Sequence, residues 1–86
     1  MRPARRLRKT IHSAEQVAFM ALLAAERDKA GLTQQKLAKR LGKHQSFVAK
    51  YEGGERRLDV VEFITIARAM GADPVRLLRA FLRQIG

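Results

Sequence analysis

Few side chains in this chain could carry out covalent chemistry. Its 86 residues include no cysteine and two histidines, His12 and His44. The absence of cysteine excludes thiolate zinc sites, disulfide staples and thiol nucleophiles together. No His/Asp/Glu cluster has metal-ligand spacing, no glycine-rich loop is built to cradle phosphate, and no Ser/His/Asp set is present. The expectation is a protein that is not an enzyme and takes no metal and no cofactor. What remains is binding chemistry. The chain carries 18 Lys+Arg against 8 Asp+Glu, a formal net charge of +10. That excess on so short a chain calls for a polyanionic partner, either nucleic acid or an anionic membrane surface.

The charge is concentrated in two blocks. Residues 1–12 hold Arg2, Arg5, Arg6, Arg8 and Lys9 and no acid. Residues 33–57 hold Lys36, Lys39, Arg40, Lys43, Lys50, Arg56 and Arg57 against Glu52 and Glu55. The segments between and after them are close to neutral. A basic start followed by the apolar run Val17–Ala25 has the outline of a secretory leader. Glu15 and Gln16 interrupt its approach, however, and Arg27, Asp28 and Lys29 end it far short of the ~20 apolar residues a span requires. A cytoplasmic protein that does not enter membranes is the expectation.

These charges need a scaffold, and the length allows one domain with one small core. With 47% hydrophobic residues the chain is apolar enough to fold. Residues 1–12 read as a flexible basic arm. Residues 13–86 read as a single domain of five short helices, because no stretch alternates with period two. Ser13 caps helix one, about 14–30, with Gln16 completing a capping-box pattern and Gly31 as the stop. The apolar stripe of that helix is Val17, Met20, Leu23 and Ala24. Thr33 caps helix two, about 34–41, which ends at Gly42. Helix three covers about 45–53. Asp59 caps helix four, whose stripe is Val60, Phe63, Ile66, Ala67 and Met70, with Gly71 as its stop. Asp73 caps helix five, and Pro74 occupies its first position.

Residues 34–53 are the informative stretch. Two short helices meet at Gly42, and Ala38 sits four residues before it, where only a small side chain lets two helices cross closely. Leu37, Leu41, Val48 and Tyr51 would fill the angle between them. This is the pattern of a helix-turn-helix, whose second helix enters the DNA major groove. Ala30-Gly31-Leu32-Thr33-Gln34-Gln35-Lys36-Leu37-Ala38, Leu41-Gly42, Gln45–Glu52 and Gly54 resemble the Cro/repressor-type (Xre) helix-turn-helix family. Ile66–Gly71 and Asp73-Pro74 with Leu77-Leu78 are similar to it as well, so the resemblance covers about residues 20–80.

That resemblance implies an all-α, five-helix lambda-repressor-like DNA-binding domain that binds double-stranded DNA and usually represses transcription. It assigns base reading to Gln45, Ser46 and Lys50. Their chemistry suits the role, since Gln can pair with adenine in bidentate fashion and Lys donates to guanine. It assigns phosphate contact to Thr33 and Gln34 at the start of helix two, an anion site by its dipole. It also pairs Glu52 with Arg27 of helix one. His44 has two open readings, as N-cap of the recognition helix or as a contact to base or phosphate. Lys43 departs from the family, which places a small apolar residue there. Either the turn is less well anchored, or the Lys43 stem covers the gap while its ammonium reaches a phosphate. Phe47 either packs on helix four or stays partly exposed near the DNA backbone. Arg56 and Arg57 read as phosphate clamps. Arg5, Arg6 and Arg8 read as a minor-groove arm or as a solubilising tail.

In helix five, Leu78, Phe81, Leu82 and Ile85 lie on one side and Arg76, Arg79 and Arg83 on another. This apolar surplus reads as a homodimer contact, which suits half-sites about 34–36 Å apart on one face of DNA. Two other function classes fit the same features. One is an antitoxin-type module that holds a protein partner and autoregulates its operon. The other is a nonspecific nucleic-acid binder whose affinity falls steeply with salt.

Overall fold

The computed structural model describes residues 13–86. The basic arm expected over residues 1–12, with Arg5, Arg6 and Arg8, lies outside the described residues. Five helices follow in order: α1 (Ala14–Lys29), α2 (Gln34–Leu41), α3 (Gln45–Glu52), α4 (Val60–Ala69) and α5 (Pro74–Ile85).

Each helix starts on a side chain that accepts a hydrogen bond from an otherwise orphaned N–H. Ser13 Oγ accepts from Gln16, Thr33 Oγ1 from Lys36, and Asp73 Oδ1 from Val75. The complete reciprocal box forms at α4. Asp59 Oδ1 accepts from the Glu62 N–H at 2.7 Å, and Glu62 Oε1 accepts from the Asp59 N–H at 2.9 Å. The α2–α3 turn depends on Gly42, which sits at φ +65°. This left-handed residue lets the Lys43 N–H reach back to the Ala38 carbonyl at 2.9 Å and close α2.

α2 packs on α3, α1 packs on α3 and α5, and α4 packs on α2 and α5. The common core contains Met20 and Leu23 of α1, Leu37 and Ala38 of α2, and Val48 and Tyr51 of α3. It is completed by Phe63, Ile66 and Ala67 of α4, Leu77 of α5, and Leu32 and Met70 at the junctions. Phe19 joins α1 to both later helices, its ring 5.4 Å from Phe63 and 5.1 Å from Phe81. The burial of Ala38 fits the close approach of α2 and α3, as its size requires.

Two apolar expectations are corrected. Val60 is 72% exposed, because the stripe of α4 runs off the end of the core at the first helical residue. Val17 is also exposed, because the buried face of α1 centres on Met20, Leu23 and Glu26. Glu26 can take a buried position because Arg76 of α5 donates to both of its oxygens, at 3.1 and 3.4 Å. Among the described residues no helix is long and apolar enough to cross a membrane.

Candidate nucleic-acid interface

α3 buries Val48 and Tyr51 completely and leaves Gln45, Ser46 and Lys50 exposed. Helical spacing sets this division: residues 48 and 51 lie on the inner face, and 45, 46 and 50 on the outer one. His44 is the N-cap of α3, and its Nδ1 accepts the Ser46 N–H at 3.2 Å. That hydrogen bond assigns the ring a local structural task at the tip of the helix, while the ring itself stays exposed.

The outer face is oriented from beneath by a polar chain through three helices. Arg27 of α1 donates through Nε to Glu52 Oε2 at 2.7 Å and through Nη2 to Glu52 Oε1 at 3.0 Å. Its Nη1 donates to the Leu32 carbonyl at 2.8 Å, tying down the α1–α2 connection. Glu52 Oε1 also accepts from Gln34 Nε2 at 3.0 Å. Gln34 Oε1 in turn accepts from Gln45 Nε2 at 3.3 Å. The side chains of Arg27 and Glu52 are only 13% and 8% exposed. Two planar groups in bidentate register hold one another's orientation better than a point charge could. The hydrogen bond to Glu52 raises the Arg27 guanidinium above its ordinary value, although burial opposes the effect.

This network fixes which way each amide points. The carboxylate of Glu52 accepts only, so Gln34 must offer it NH2 and turn its oxygen toward Gln45. Gln45 must then spend one N–H on Gln34. Its carbonyl oxygen and its second N–H are left over on an exposed side chain, an acceptor and a donor on one amide.

The expected cations fall into different settings. Lys43 and Lys50 are exposed, and Lys43 Nζ lies 5.6 Å from the Phe47 ring centroid. It is therefore the ammonium that lies over the aromatic ring beside the turn. Phe47 is half-buried and meets Tyr51 edge-on at 5.6 Å, and with Leu41, Val61, Glu62 and Ile66 it lines a groove of about 220 Å³. Phe47 thus leans on the core and shares that space with α4, and it also stays partly exposed, so both of its open placements hold in part. Arg56 stacks on the same ring at 4.8 Å and donates through Nη2 to Glu62 Oε2 at 2.7 Å. Its guanidinium is committed to protein acceptors, which sequence reading did not anticipate. Arg40 is also engaged, donating to the Ala69 carbonyl at the C-terminal end of α4 at 2.9 Å.

On α5, Leu78 and Leu82 are exposed as expected for a contact face, and Val75 extends their stripe. Ile85 is half-buried. Phe81 is turned inward onto Phe19, so it belongs to the α1–α5 packing.

A helix-turn-helix family model matches residues 23–77, well over half of the chain. The chain belongs to the Cro/repressor-type (Xre) helix-turn-helix family. This Xre-family chain is similar to an XRE-family like protein from Pseudomonas syringae pv. tomato, at 47% identity and a TM-score of 0.81, over 88% of this chain and 93% of that one. It is similar to the restriction-modification controller protein C.AhdI from Aeromonas hydrophila, at 32% identity and a TM-score of 0.69, over 76% and 98% of the two chains. The clp gene regulator ClgR from C. glutamicum shares the fold at 19% identity and a TM-score of 0.75, over 87% and 97%. No curated protein sequence matches the chain. The Xre-family chain has the five-helix, all-α architecture expected from its caps and stripes, and it is a DNA-binding transcriptional regulator.

Proposed function

We propose that this chain is a cytoplasmic repressor that binds a palindromic operator as a homodimer, with α3 in the major groove. The observation that carries this reading is the oriented amide of Gln45. It is held by Gln34, which is held by the buried Arg27–Glu52 pair. An exposed amide with one acceptor and one donor left over matches the N6 and N7 edge of adenine. Lys50 and Ser46 on the same face read the neighbouring base edges, and His44 lies at the end of that surface. Phosphate contacts come from the α2 N-terminus at Thr33 and Gln34, from Lys43 and from Arg57. Arg5, Arg6 and Arg8 enter a flanking minor groove. The exposed stripe Val75, Leu78 and Leu82 on α5 supplies the contact between two copies. Repression follows from occupancy, since a dimer seated across a promoter blocks access to it.

Selection of random duplexes with the purified protein at physiological salt tests this reading. It is expected to enrich a palindrome whose half-sites are one helical turn apart. Enrichment of no motif, with affinity that depends only on salt, would leave nonspecific nucleic-acid binding. Sedimentation that finds a monomer with and without DNA would remove the dimer.

A further inference from the structure

A basic residue just after a recognition helix would ordinarily serve as a phosphate clamp. Arg56 is held elsewhere. Nη2 donates to Glu62 Oε2 at 2.7 Å, Nη1 donates to the Arg57 carbonyl at 3.0 Å, and Cζ lies 4.8 Å from the Phe47 ring centroid. Glu62 is itself held in place. Its other oxygen accepts the Asp59 N–H at 2.9 Å and closes the capping box of α4. The contacts therefore run from the cap of α4 through Glu62 and Arg56 to Phe47 of α3. Phe47 in turn rests edge-on against the fully buried Tyr51.

Swinging Arg56 onto a phosphate would break this chain at both ends. It would take the guanidinium off the Phe47 ring, and it would leave the Glu62 carboxylate unneutralised beside a polyanion. We infer that Arg56 is a positioning residue, which ties the recognition helix to the cap of α4 by bridging the Glu62 carboxylate and the Phe47 ring. Its contribution to DNA binding is therefore selectivity among sequences, with no charge delivered to the backbone. The inference rests on the DNA-reading function proposed above and adds a determinant outside the base-contacting face.

Two substitutions separate the roles. Glu62→Gln keeps the volume and the oxygen that caps Asp59, and it removes the charge that holds Arg56. Arg56→Gln removes the clamp itself. Affinities for the selected operator and for a random duplex are measured across 50–200 mM salt. Both variants are expected to lower the operator-to-random ratio by about two- to fivefold, the scale of a partly exposed ion pair. The double variant is expected to lose no more than either single one. The salt slope of Arg56→Gln is expected to match that of the wild type. A phosphate clamp would behave otherwise. Arg56→Gln would then weaken both duplexes alike and reduce the slope by about 0.9, and Glu62→Gln would strengthen both. Partial unfolding lowers both affinities together and leaves the ratio intact, so an unchanged ratio overturns the inference. A selective wild type whose Arg56→Gln variant stays selective defeats this inference alone. A wild type that prefers no duplex defeats the operator reading with it.

Discussion

Replacing Glu52 with glutamine removes one negative charge and almost no volume from the joint of α1, α2 and α3. Glu52 accepts two hydrogen bonds from Arg27, at 2.7 and 3.0 Å, and one from Gln34 at 3.0 Å. An exposed ion pair contributes ~0–1 kcal/mol, whereas removing one partner from a buried pair costs about 3–5 kcal/mol. At 13% and 8% side-chain exposure this pair lies toward the buried class. Arg27 keeps one other anion, Asp28 Oδ1 at 3.2 Å, but Asp28 is 74% exposed and its attraction is weakened by water. The cost is therefore about 2–3 kcal/mol, a large part of the ~5–15 kcal/mol that holds a domain folded. For a domain of this size it corresponds to a fall of roughly 10–20 °C in Tm. Thermal melts followed by circular dichroism would compare the wild type, Glu52→Gln, Arg27→Met and the double variant. The double variant is expected to be more stable than the sum of the single losses, because it leaves no stranded charge. The loss from Glu52→Gln is expected to persist at 1 M salt, where screening removes surface pairs. A fall of less than about 3 °C, or a loss that vanishes with salt, would refute the reasoning by placing the pair in the surface class.

Three further outcomes follow from the same geometry. Gln45→Ala is expected to lower discrimination at one base position by about 1–3 kcal/mol and to leave the salt slope unchanged; competition binding with single-base variants of the operator measures both. The Glu26 carboxyl is held below the usual carboxylate range, chiefly by its hydrogen bond from Arg76 and against the opposing effect of burial. A depressed folded-state value gives stability that is present above the unfolded value of ~4.3 and lost as pH falls through the folded one. Urea midpoints from pH 7 to pH 2 should therefore drop on the acid side, and less so in Arg76→Gln; equal acid losses would remove Glu26 as a source. The Tyr51 hydroxyl is fully buried with no hydrogen-bond partner among the described residues, and burial pushes its ionisation upward. An unmade buried hydrogen bond costs about 1–3 kcal/mol, so Tyr51→Phe is expected to melt at or above the wild-type temperature. A clear drop would count against an unpartnered hydroxyl.

What could be read from the sequence divides by range. Capping at Ser13, Thr33, Asp59 and Asp73 is legible because a cap and the N–H it serves lie within three residues of each other, whereas the cap at His44 stays one of two readings until the structure shows it. Gly42 was legible for the same reason, since a left-handed stop follows directly on the helix it ends. The buried set Leu37, Ala38, Val48 and Tyr51 followed from helical spacing around that stop. Charges were not legible in this way, because a basic residue carries no sign of which acceptor it will meet. Arg27 and Glu52 were paired through the family resemblance. Glu26 and Arg76, fifty positions apart, were not paired at all. Arg56 reads as a phosphate clamp although an acid that accepts from it lies only six residues away, because spacing across a loop does not say which acid a base will meet. These internal contacts bear on function. Among the seven bases of residues 33–57, Arg40 and Arg56 direct their guanidinium groups to the Ala69 carbonyl and to Glu62. Each phosphate contact steepens the salt dependence of binding by about 0.9, so a slope predicted from the number of bases would overstate the contacts that reach DNA. Net charge names the class of partner, and the internal hydrogen bonds decide how many cations remain to meet it.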